Sequence, residues 1–165
     1  MDYLACILLI GIGATAITDL WAGARKRLLG VASPNYGLVG RWIAWIPRGR
    51  FFHDAISATP AARGERVIGW MIHYLIGVAF AALLPAIWGL EWMRQPALLP
   101  ALLVGIGTVA APFFVMQPAM GAGIAASRTP RPTAARLQSL ATHAIFGLGL
   151  YASGLLVSLV FSRGN

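Results

Sequence analysis

The chain has 165 residues, of which 58% are hydrophobic and 11% are charged, and its mean hydropathy is +0.72. In soluble domains about half of the residues are hydrophobic and about a quarter are charged. The composition therefore excludes an ordinary soluble fold and indicates an integral membrane protein. The formal net charge is +8. The basic residues cluster at connections between apolar runs, which is a pattern of membrane topology and argues against a nucleic-acid partner.

Four apolar runs are long enough to cross a bilayer, because a spanning helix needs about 20 residues. They lie near Tyr3–Ala24, Arg66–Leu90, Leu98–Ala125 and Arg136–Phe161. Only α-helices and closed barrels satisfy their backbone hydrogen bonds in lipid, and continuous apolar runs of this length are typical of helices. The sequence therefore predicts an all-α integral membrane protein with four transmembrane helices.

The first run is predicted to remain in the protein as a helix. Its start lacks the basic region of a signal peptide and carries Asp2 instead. The run is followed by "ARKR" at residues 24–27, which is typical of a membrane stop.

Residues 28–54, between the first and second runs, are too short, too basic and too interrupted to span a membrane. Aromatic residues are mixed with arginines here; they are Trp42, Trp45, Phe51 and Phe52 with Arg41, Arg48 and Arg50. This mixture is typical of an amphipathic segment in the membrane interface. We expect the insertion to anchor the protein at the cytoplasmic face, or alternatively to act as a lid over the cytoplasmic mouth of the bundle.

The basic residues divide unequally between the two sides of the predicted bundle. Of the 13 Lys and Arg residues, eight lie at the first connection, three at the third, and two, Arg94 and Arg163, on the opposite side. This positive-inside pattern predicts that both basic connections face the cytoplasm and that both termini lie outside. The same residues predict binding of anionic lipids at the cytoplasmic face of the bilayer.

The chain contains a weak internal repeat. Residues 59–77 match residues 129–147 at five of 19 positions without a gap, and "GIGAT" at 11–15 recurs as "GIGTV" at 105–109. The matched pairs are Thr59/Thr129, Pro60/Pro130, Arg66/Arg136, His73/His143 and Gly77/Gly147. We expect the Thr-Pro pairs to mark the starts of the second and fourth helices.

The repeat predicts two parallel, duplicated hairpins, related by a pseudo-twofold axis along the membrane normal. The first hairpin covers residues 1–90 and includes the insertion, and the second covers residues 98–165. Together they are expected to form a single membrane domain, 1–165.

Four polar residues are predicted to reach one depth near the cytoplasmic side. His73 and His143 each follow an arginine by seven residues, which is about 10 Å and two turns along a helix. The first and third helices reach this depth near Asp19 and Gln117. Because a carboxylate in a membrane normally faces the bundle interior with a partner, we expect Asp19 to pair with the histidines.

In three of our hypotheses, this layer binds a small ligand, a cofactor or an ion. The candidate residues are His73, His143, Asp19, Gln117, Gly77, Gly147, Arg66 and Arg136. In the first hypothesis the two histidines ligate a haem b, the two glycines leave room for the macrocycle, and the two arginines pair with its propionates. In the second, the histidines and Asp19 bind a transition metal. In the third, they form a proton path through a small oligomeric transporter.

A fourth hypothesis is structural. His73 and His143 would hydrogen-bond across helices, while small residues let the backbones pack closely. The chain would then be a non-enzymatic interaction or assembly protein, with a membrane-protein partner or a second copy of itself. The sequence contains no nucleophile–base pair or catalytic motif, so no residue is predicted to be catalytic and an enzyme is not favoured.

Three segments carry a resemblance to a known family: "GIGATAITDLWAGARKR", "GWMIHYLIGVAFA" and "QPAMGAGIAASRTPRPTAARLQSLATHAIFGLGLY". Through these segments nearly the whole chain resembles a family of small bacterial inner-membrane proteins, a domain of unknown function. The most specific part is the "AASRTPRP" connection with the following "HAIFGLGLY". The resemblance implies a four-helix bacterial membrane protein, and it supplies no activity, cofactor or catalytic residue.

Overall fold

The computed structural model describes residues 2–162, and the side chains of residues 2–160. The α-helices are α1 (Tyr3–Leu29), α2 (Tyr36–Trp45), α3 (Glu65–Trp88), α4 (Glu91–Arg94), α5 (Leu98–Gly107), α6 (Gln117–Ala119) and α7 (Pro132–Ser162). Short 3-10 turns lie at Ile46–Arg48, Ile56–Ala58 and Ile124–Ala126, and a π-helical turn lies at Pro112–Met116. The described residues contain no strand, which confirms the predicted all-α class.

Four helical segments are long and apolar enough to cross a membrane. They are Tyr3–Leu29, Glu65–Trp88, Leu98–Ala119 and Pro132–Val160, and each overlaps one of the four predicted runs. Large apolar side chains such as Leu20, Leu75 and Leu156 remain exposed on them. Many large apolar side chains exposed together on long apolar helices suit a lipid environment better than water. The chain is therefore a multi-pass membrane protein.

The first helix is longer than its apolar run. It continues through the basic "ARKR" stretch to Leu29 and ends where Gly30 adopts a left-handed conformation with φ 64°. The N–H of Gly30 donates to the carbonyl of Lys26 at 3.1 Å, which is a typical helix end. At the other end, the Asp2 carboxylate accepts hydrogen bonds from two backbone N–H groups. Asp2 therefore caps α1.

The third helix is shorter than predicted, and it is interrupted. Regular α5 ends at Gly107, and the chain continues through the π-helical turn to Ala119 instead of reaching Ala125. Pro112 begins this turn, and because proline lacks an N–H it cannot continue the regular hydrogen-bond ladder.

The prediction that the Thr-Pro pairs start helices is wrong, because α3 and α7 both begin later in the chain. Each threonine instead closes the short turn before it. The Thr59 hydroxyl donates to the Ala55 carbonyl at 3.4 Å, and the Thr129 hydroxyl donates to the Ala126 carbonyl at 2.7 Å. Threonine hydroxyls often bond nearby backbone in this way, in competition with helix capping.

The chain divides into two compact units. The first unit comprises Met1–Ser33, Tyr74–Thr108 and Ala141–Asn165, and the second comprises Pro34–His73 and Val109–Leu140. The first unit has an apolar core contributed by α1, α3, α4, α5 and α7. Its buried members are Cys6, Ile10, Ala14, Ala81, Leu84, Trp92, Met93, Ala101, Val104, Phe146, Leu150 and Val157.

The second unit contains the insertion, which packs against other parts of this unit. Trp42 of α2 is buried with Ile56 and Ala119. The loop after α2 is fixed by two backbone hydrogen bonds, from the His53 N–H to the Ala119 carbonyl at 2.8 Å and from the Ile56 N–H to the Met120 carbonyl at 3.1 Å. The insertion is thus a packed part of the protein as well as a basic, aromatic segment.

Candidate functional site

The predicted site residues divide equally between the two units. The first unit holds Asp19, Gly77, His143 and Gly147, and the second holds Arg66, His73, Gln117 and Arg136. In the first unit, Asp19 contacts Tyr74 and His143 contacts helix backbone. In the second unit, His73 contacts aromatic rings and Arg136 contacts a turn.

Asp19 is half-buried in the middle third of α1. The hydroxyl of Tyr74, on α3, donates a hydrogen bond to its carboxylate. The sequence pattern predicts a histidine as the partner of Asp19 and does not identify Tyr74, which directly follows His73 and so projects about 100° further around the helix. An open groove of about 640 Å³ surrounds this pair; its lining residues are Ala16, Asp19, Leu20, Gly23, Ala24, Arg27 and Tyr74.

Two opposite charges line the Asp19 groove. Asp19, Gly23 and Arg27 follow one another at intervals of four residues, which places them along one face of α1. A Cβ atom on Gly23 would have no neighbour within 4 Å, so the space between the two charged residues is open. Arg27 is exposed and forms no ion pair with the described residues. The groove thus offers a carboxylate and a guanidinium whose Cα atoms are about 12 Å apart along the helix.

His143 is hydrogen-bonded to the backbone of α5. Its Nδ1 lies 3.1 Å from the Gly105 carbonyl oxygen and 3.1 Å from the Thr108 hydroxyl oxygen, and that hydroxyl donates to the same carbonyl at 2.7 Å. Because a carbonyl only accepts, we assign the imidazole proton to Nδ1, which leaves Nε2 with a lone pair. His143 therefore connects α7 to α5, and Thr108 is a further participant that the sequence does not reveal.

Both predicted glycines lie at close helix crossings. A Cβ atom on Gly77 would overlap the Thr15 hydroxyl of α1, and a Cβ atom on Gly105 would overlap the Cα atom of Gly147. Close backbone approach through small residues is a usual way in which membrane helices associate. These glycines are therefore packing residues.

His73 belongs to an aromatic cluster in the second unit. Its ring stacks on Tyr36, with centroids 4.0 Å apart and an interplanar angle of 22°. Trp70 packs edge-on against both rings, at 5.9 Å from His73 and 4.7 Å from Tyr36. Tyr36 begins α2, so one face of the His73 ring is covered by a residue of the insertion.

The remaining predicted residues of the second unit lie at helix starts. Gln117 begins α6, and its buried Oε1 accepts no hydrogen bond from the described residues. Arg66 is exposed near the start of α3. Arg136 is exposed in the first turns of α7, and its Nε donates to the Ala125 carbonyl at 2.8 Å. Ala125 has φ 47°, so Arg136 supports a turn in the left-handed region.

Arg41 is an organising residue that sequence reasoning assigns only to the basic interface. Its Nε and Nη2 donate to the two Glu65 carboxylate oxygens, both at 2.8 Å, and its Nη1 donates to the Thr59 carbonyl at 2.9 Å. The hydrogen bonds to Glu65 raise the pKa of Arg41, so this pair remains ionised. Nothing in the local sequence distinguishes Arg41 from the neighbouring arginines, because its partner is 24 residues away.

The side chains that could ligate a cofactor suit a haem better than a metal ion held by several protein ligands. Residues 2–160 contain no group of three or more His, Cys, Asp or Glu side chains that could hold a metal ion. A haem needs only axial ligands, and a ligating histidine usually donates its other ring N–H to a carbonyl or carboxylate. His143, with Nδ1 on the Gly105 carbonyl, has this arrangement. The first unit therefore fits an axial imidazole better than a compact metal centre.

A family model described as "Protein of unknown function (DUF2938)" matches residues 8–157. No curated protein and no solved structure matches the chain significantly. The match confirms the predicted membership of an uncharacterised family. It covers most of the sequence, including both predicted histidines and Asp19, and the chain therefore belongs to the DUF2938 family.

Proposed function

We propose that this protein is a multi-pass protein of the bacterial inner membrane that binds a small zwitterionic ligand in the Asp19 groove. The observation that carries the proposal is the Asp19 carboxylate, which lies on a membrane-spanning helix, accepts the Tyr74 hydroxyl and lines an open groove. A charged aspartate in a spanning helix costs about 2.5–3.5 kcal/mol on insertion scales, and such residues usually belong to ligand or ion sites.

The lining of the groove defines the chemistry of the ligand. The Asp19 carboxylate favours an ammonium group, and the Arg27 guanidinium favours a phosphate or carboxylate. Gly23 leaves the space between them open, and the side chains of Ala16, Leu20 and Ala24 are apolar. The best match is a small molecule or head group with an ammonium group, a short carbon linker and an anionic group. A proton on Asp19, as in the proton-path hypothesis, is the alternative occupant.

The charge distribution supports an orientation for the groove. Arg27 belongs to the basic stretch that ends α1, and basic connections lie on the cytoplasmic side. The groove then opens toward the cytoplasm, and both chain termini lie outside. In the insertion, the Arg48 guanidinium lies 4.8 Å from the centre of the Trp45 ring, and the Phe52 side chain is 69% exposed. A basic, aromatic surface of this kind suits anionic lipids at the cytoplasmic interface.

The helix crossings in the first unit support the duplicated hairpins. In each hairpin a threonine hydroxyl donates at 2.7 Å to the carbonyl of the glycine that begins the "GIG" motif, and a second glycine packs against the helix that carries this motif. The first glycines are Gly11 and Gly105, the second are Gly77 and Gly147, and the threonines are Thr15 and Thr108. The repeat aligns Gly11 with Gly105 and Gly77 with Gly147, whereas the two threonines are offset by one position. Recurrence of the glycine crossing at aligned positions is expected from two parallel hairpins about a pseudo-twofold axis.

A second candidate function is that of a non-enzymatic assembly protein. His143 bonds the backbone of α5, and His73 stacks on Tyr36, and both arrangements suit structural histidines. The partner would then be another membrane protein or a second copy of the chain. Haem b ligation by the Nε2 of His143 is a further hypothesis, which an absorption spectrum of the purified protein tests.

Equilibrium binding of labelled O-phosphorylethanolamine to the protein in a maltoside detergent, which has neither an ammonium group nor a phosphate, tests the ligand proposal. We expect saturable binding that is lost in Asp19→Asn and kept in Glu91→Gln, a matched loss of charge outside the groove. Added phosphatidylethanolamine separates two sources of the ligand. It competes with the label if the ligand is a lipid head group, and it does not compete if the ligand is a soluble molecule. Equal binding to the protein and to Asp19→Asn would contradict the proposal.

A further inference from the structure

A buried arginine lies at the end of the buried stripe of α1. The last four buried residues of this helix are Thr15, Thr18, Ala22 and Arg25, which follow one another at intervals of three or four. The exposed fraction of Arg25 is 8%, although its neighbours Lys26 and Arg27 are exposed. Arg25 is also absent from the lining of the Asp19 groove, so it is a separate feature of α1.

Arg25 has no counter-ion among the described residues. Its Nε is buried and makes no hydrogen bond, and no ion pair within residues 2–160 includes it. The five acidic residues of the chain are committed elsewhere or are exposed in the second unit. Asp2 caps α1, Asp19 accepts the Tyr74 hydroxyl, Glu65 pairs with Arg41, Glu91 pairs with Arg94, and Asp54 is exposed.

The chain after α1 folds back toward this end of the helix. Gly30 ends α1 in a left-handed conformation, and the hydroxyl of Ser33 then donates to the carbonyl of Ala22 at 3.4 Å. Ala22 lies one turn before Arg25 on the same stripe. The fold therefore holds the connecting segment beside the helix near Arg25, within the first unit.

An uncompensated buried cation is costly, because leaving one partner of a buried charge pair alone is strongly destabilising. Arginine is the side chain best suited to phosphate, which it binds through two parallel hydrogen bonds. Arg25 belongs to the basic stretch at the end of a membrane-spanning helix, where head-group phosphates lie. We propose that Arg25 binds a phosphate group, supplied either by an anionic phospholipid or by free phosphate.

Thermal unfolding of the protein in a maltoside detergent, which contains no phosphate, tests this site with two probes, inorganic phosphate and added phosphatidylglycerol. Three variants are compared with the unchanged chain. Arg25→Gln removes the charge, Arg25→Lys keeps the charge without the bidentate geometry, and Lys26→Gln is a matched loss of charge at an exposed neighbour.

We expect a probe-dependent rise in the midpoint temperature of the unchanged chain and of Lys26→Gln, and no such rise in Arg25→Gln. In Arg25→Lys the apparent affinity for the probe should fall by roughly tenfold, the effect of losing one hydrogen bond between charged groups. A rise with phosphate alone identifies a free anion as the ligand, whereas a rise only with phosphatidylglycerol identifies the lipid.

Two results would overturn the site at Arg25. One is that neither probe raises the midpoint temperature of the unchanged chain. The other is that the rise is the same in the protein and in its Arg25 variants. If Arg25→Gln does not fold, Arg25→Lys decides the question, because an affinity equal to that of the unchanged chain contradicts bidentate phosphate binding.

Discussion

Arg41 on α2 and Glu65 at the start of α3 form a bidentate ion pair, with both N–O distances at 2.8 Å. The two side chains are 14% and 22% exposed. The carboxylate of Glu65 also accepts the N–H of Ala62 at 2.9 Å, and Arg41 reaches three carbonyls of the 3-10 turn and the residues after it. Arg41 of the insertion thus connects α2 to the start of α3 and to the 3-10 turn at Ile56–Ala58.

We expect Arg41→Gln to lower the free energy of unfolding by about 2 kcal/mol, since charge-assisted hydrogen bonds of this kind are lost while Glu65 stays partly buried. Thermal unfolding in detergent measures the change. Arg50→Gln is the matched control, because Arg50 is an exposed arginine of the same insertion. Equal midpoint temperatures for the two variants would show that the ion pair does not stabilise the fold.

We expect His143→Ala to destabilise the protein by about 1–3 kcal/mol, because it leaves the Gly105 carbonyl without its histidine donor. Thermal unfolding measures the loss, and the absorption spectrum is recorded on the same samples. The structural role predicts a lower midpoint temperature with an unchanged spectrum. A Soret band that disappears in His143→Ala would instead identify His143 as a haem ligand.

Two glycines of α5 provide a matched test of the helix crossing. A Cβ atom on Gly105 would overlap Gly147 and lie 2.8 Å from the His143 carbonyl oxygen, whereas a Cβ atom on Gly107 would have no neighbour within 4 Å. Gly105→Ala should therefore destabilise the protein strongly, and Gly107→Ala should be neutral or raise stability by up to about 1 kcal/mol. Similar unfolding temperatures for both variants would contradict the close approach of α5 and α7.

Tyr74→Phe should weaken ligand binding in the Asp19 groove without abolishing it. The variant removes the hydroxyl that donates to the carboxylate of Asp19 and keeps the ring. A loss of roughly fivefold to tenfold in affinity for O-phosphorylethanolamine is expected, which corresponds to one hydrogen bond. Tyr151→Phe, outside the groove, is the control. Equal affinities for the two variants would exclude Tyr74 from the site.

The sequence predicts the membrane class and the four spans well, because each depends on a long continuous apolar run. Helix ends are predicted less well, since they depend on local backbone chemistry. Gly30 ends α1 beyond its basic stretch, and Pro112 interrupts the third span. The Thr-Pro pairs mislead for a similar reason, because the same threonine chemistry serves a cap or a closed turn.

The candidate site is predicted only in part. Asp19 stands out because a carboxylate is rare in a spanning helix. Its partner Tyr74 does not stand out, because a tyrosine in an apolar helix has many ordinary roles. The repeat aligns His73 with His143, yet His73 stacks on Tyr36 and His143 bonds α5. Tyr36 belongs to the insertion, which has no counterpart in the second copy of the sequence repeat, so the repeat cannot predict this difference.

Carbodiimide labelling of Asp19 tests the central proposal most directly. A hydrophobic carbodiimide reacts with carboxyl groups inside a membrane, and peptide mass spectrometry reports the modified residue. We predict that O-phosphorylethanolamine slows labelling of Asp19 in the unchanged chain, has much less effect in Arg27→Gln, and leaves any labelling of Glu91 unaffected. An Asp19 labelling rate that stays the same at every ligand concentration would contradict ligand binding in this groove.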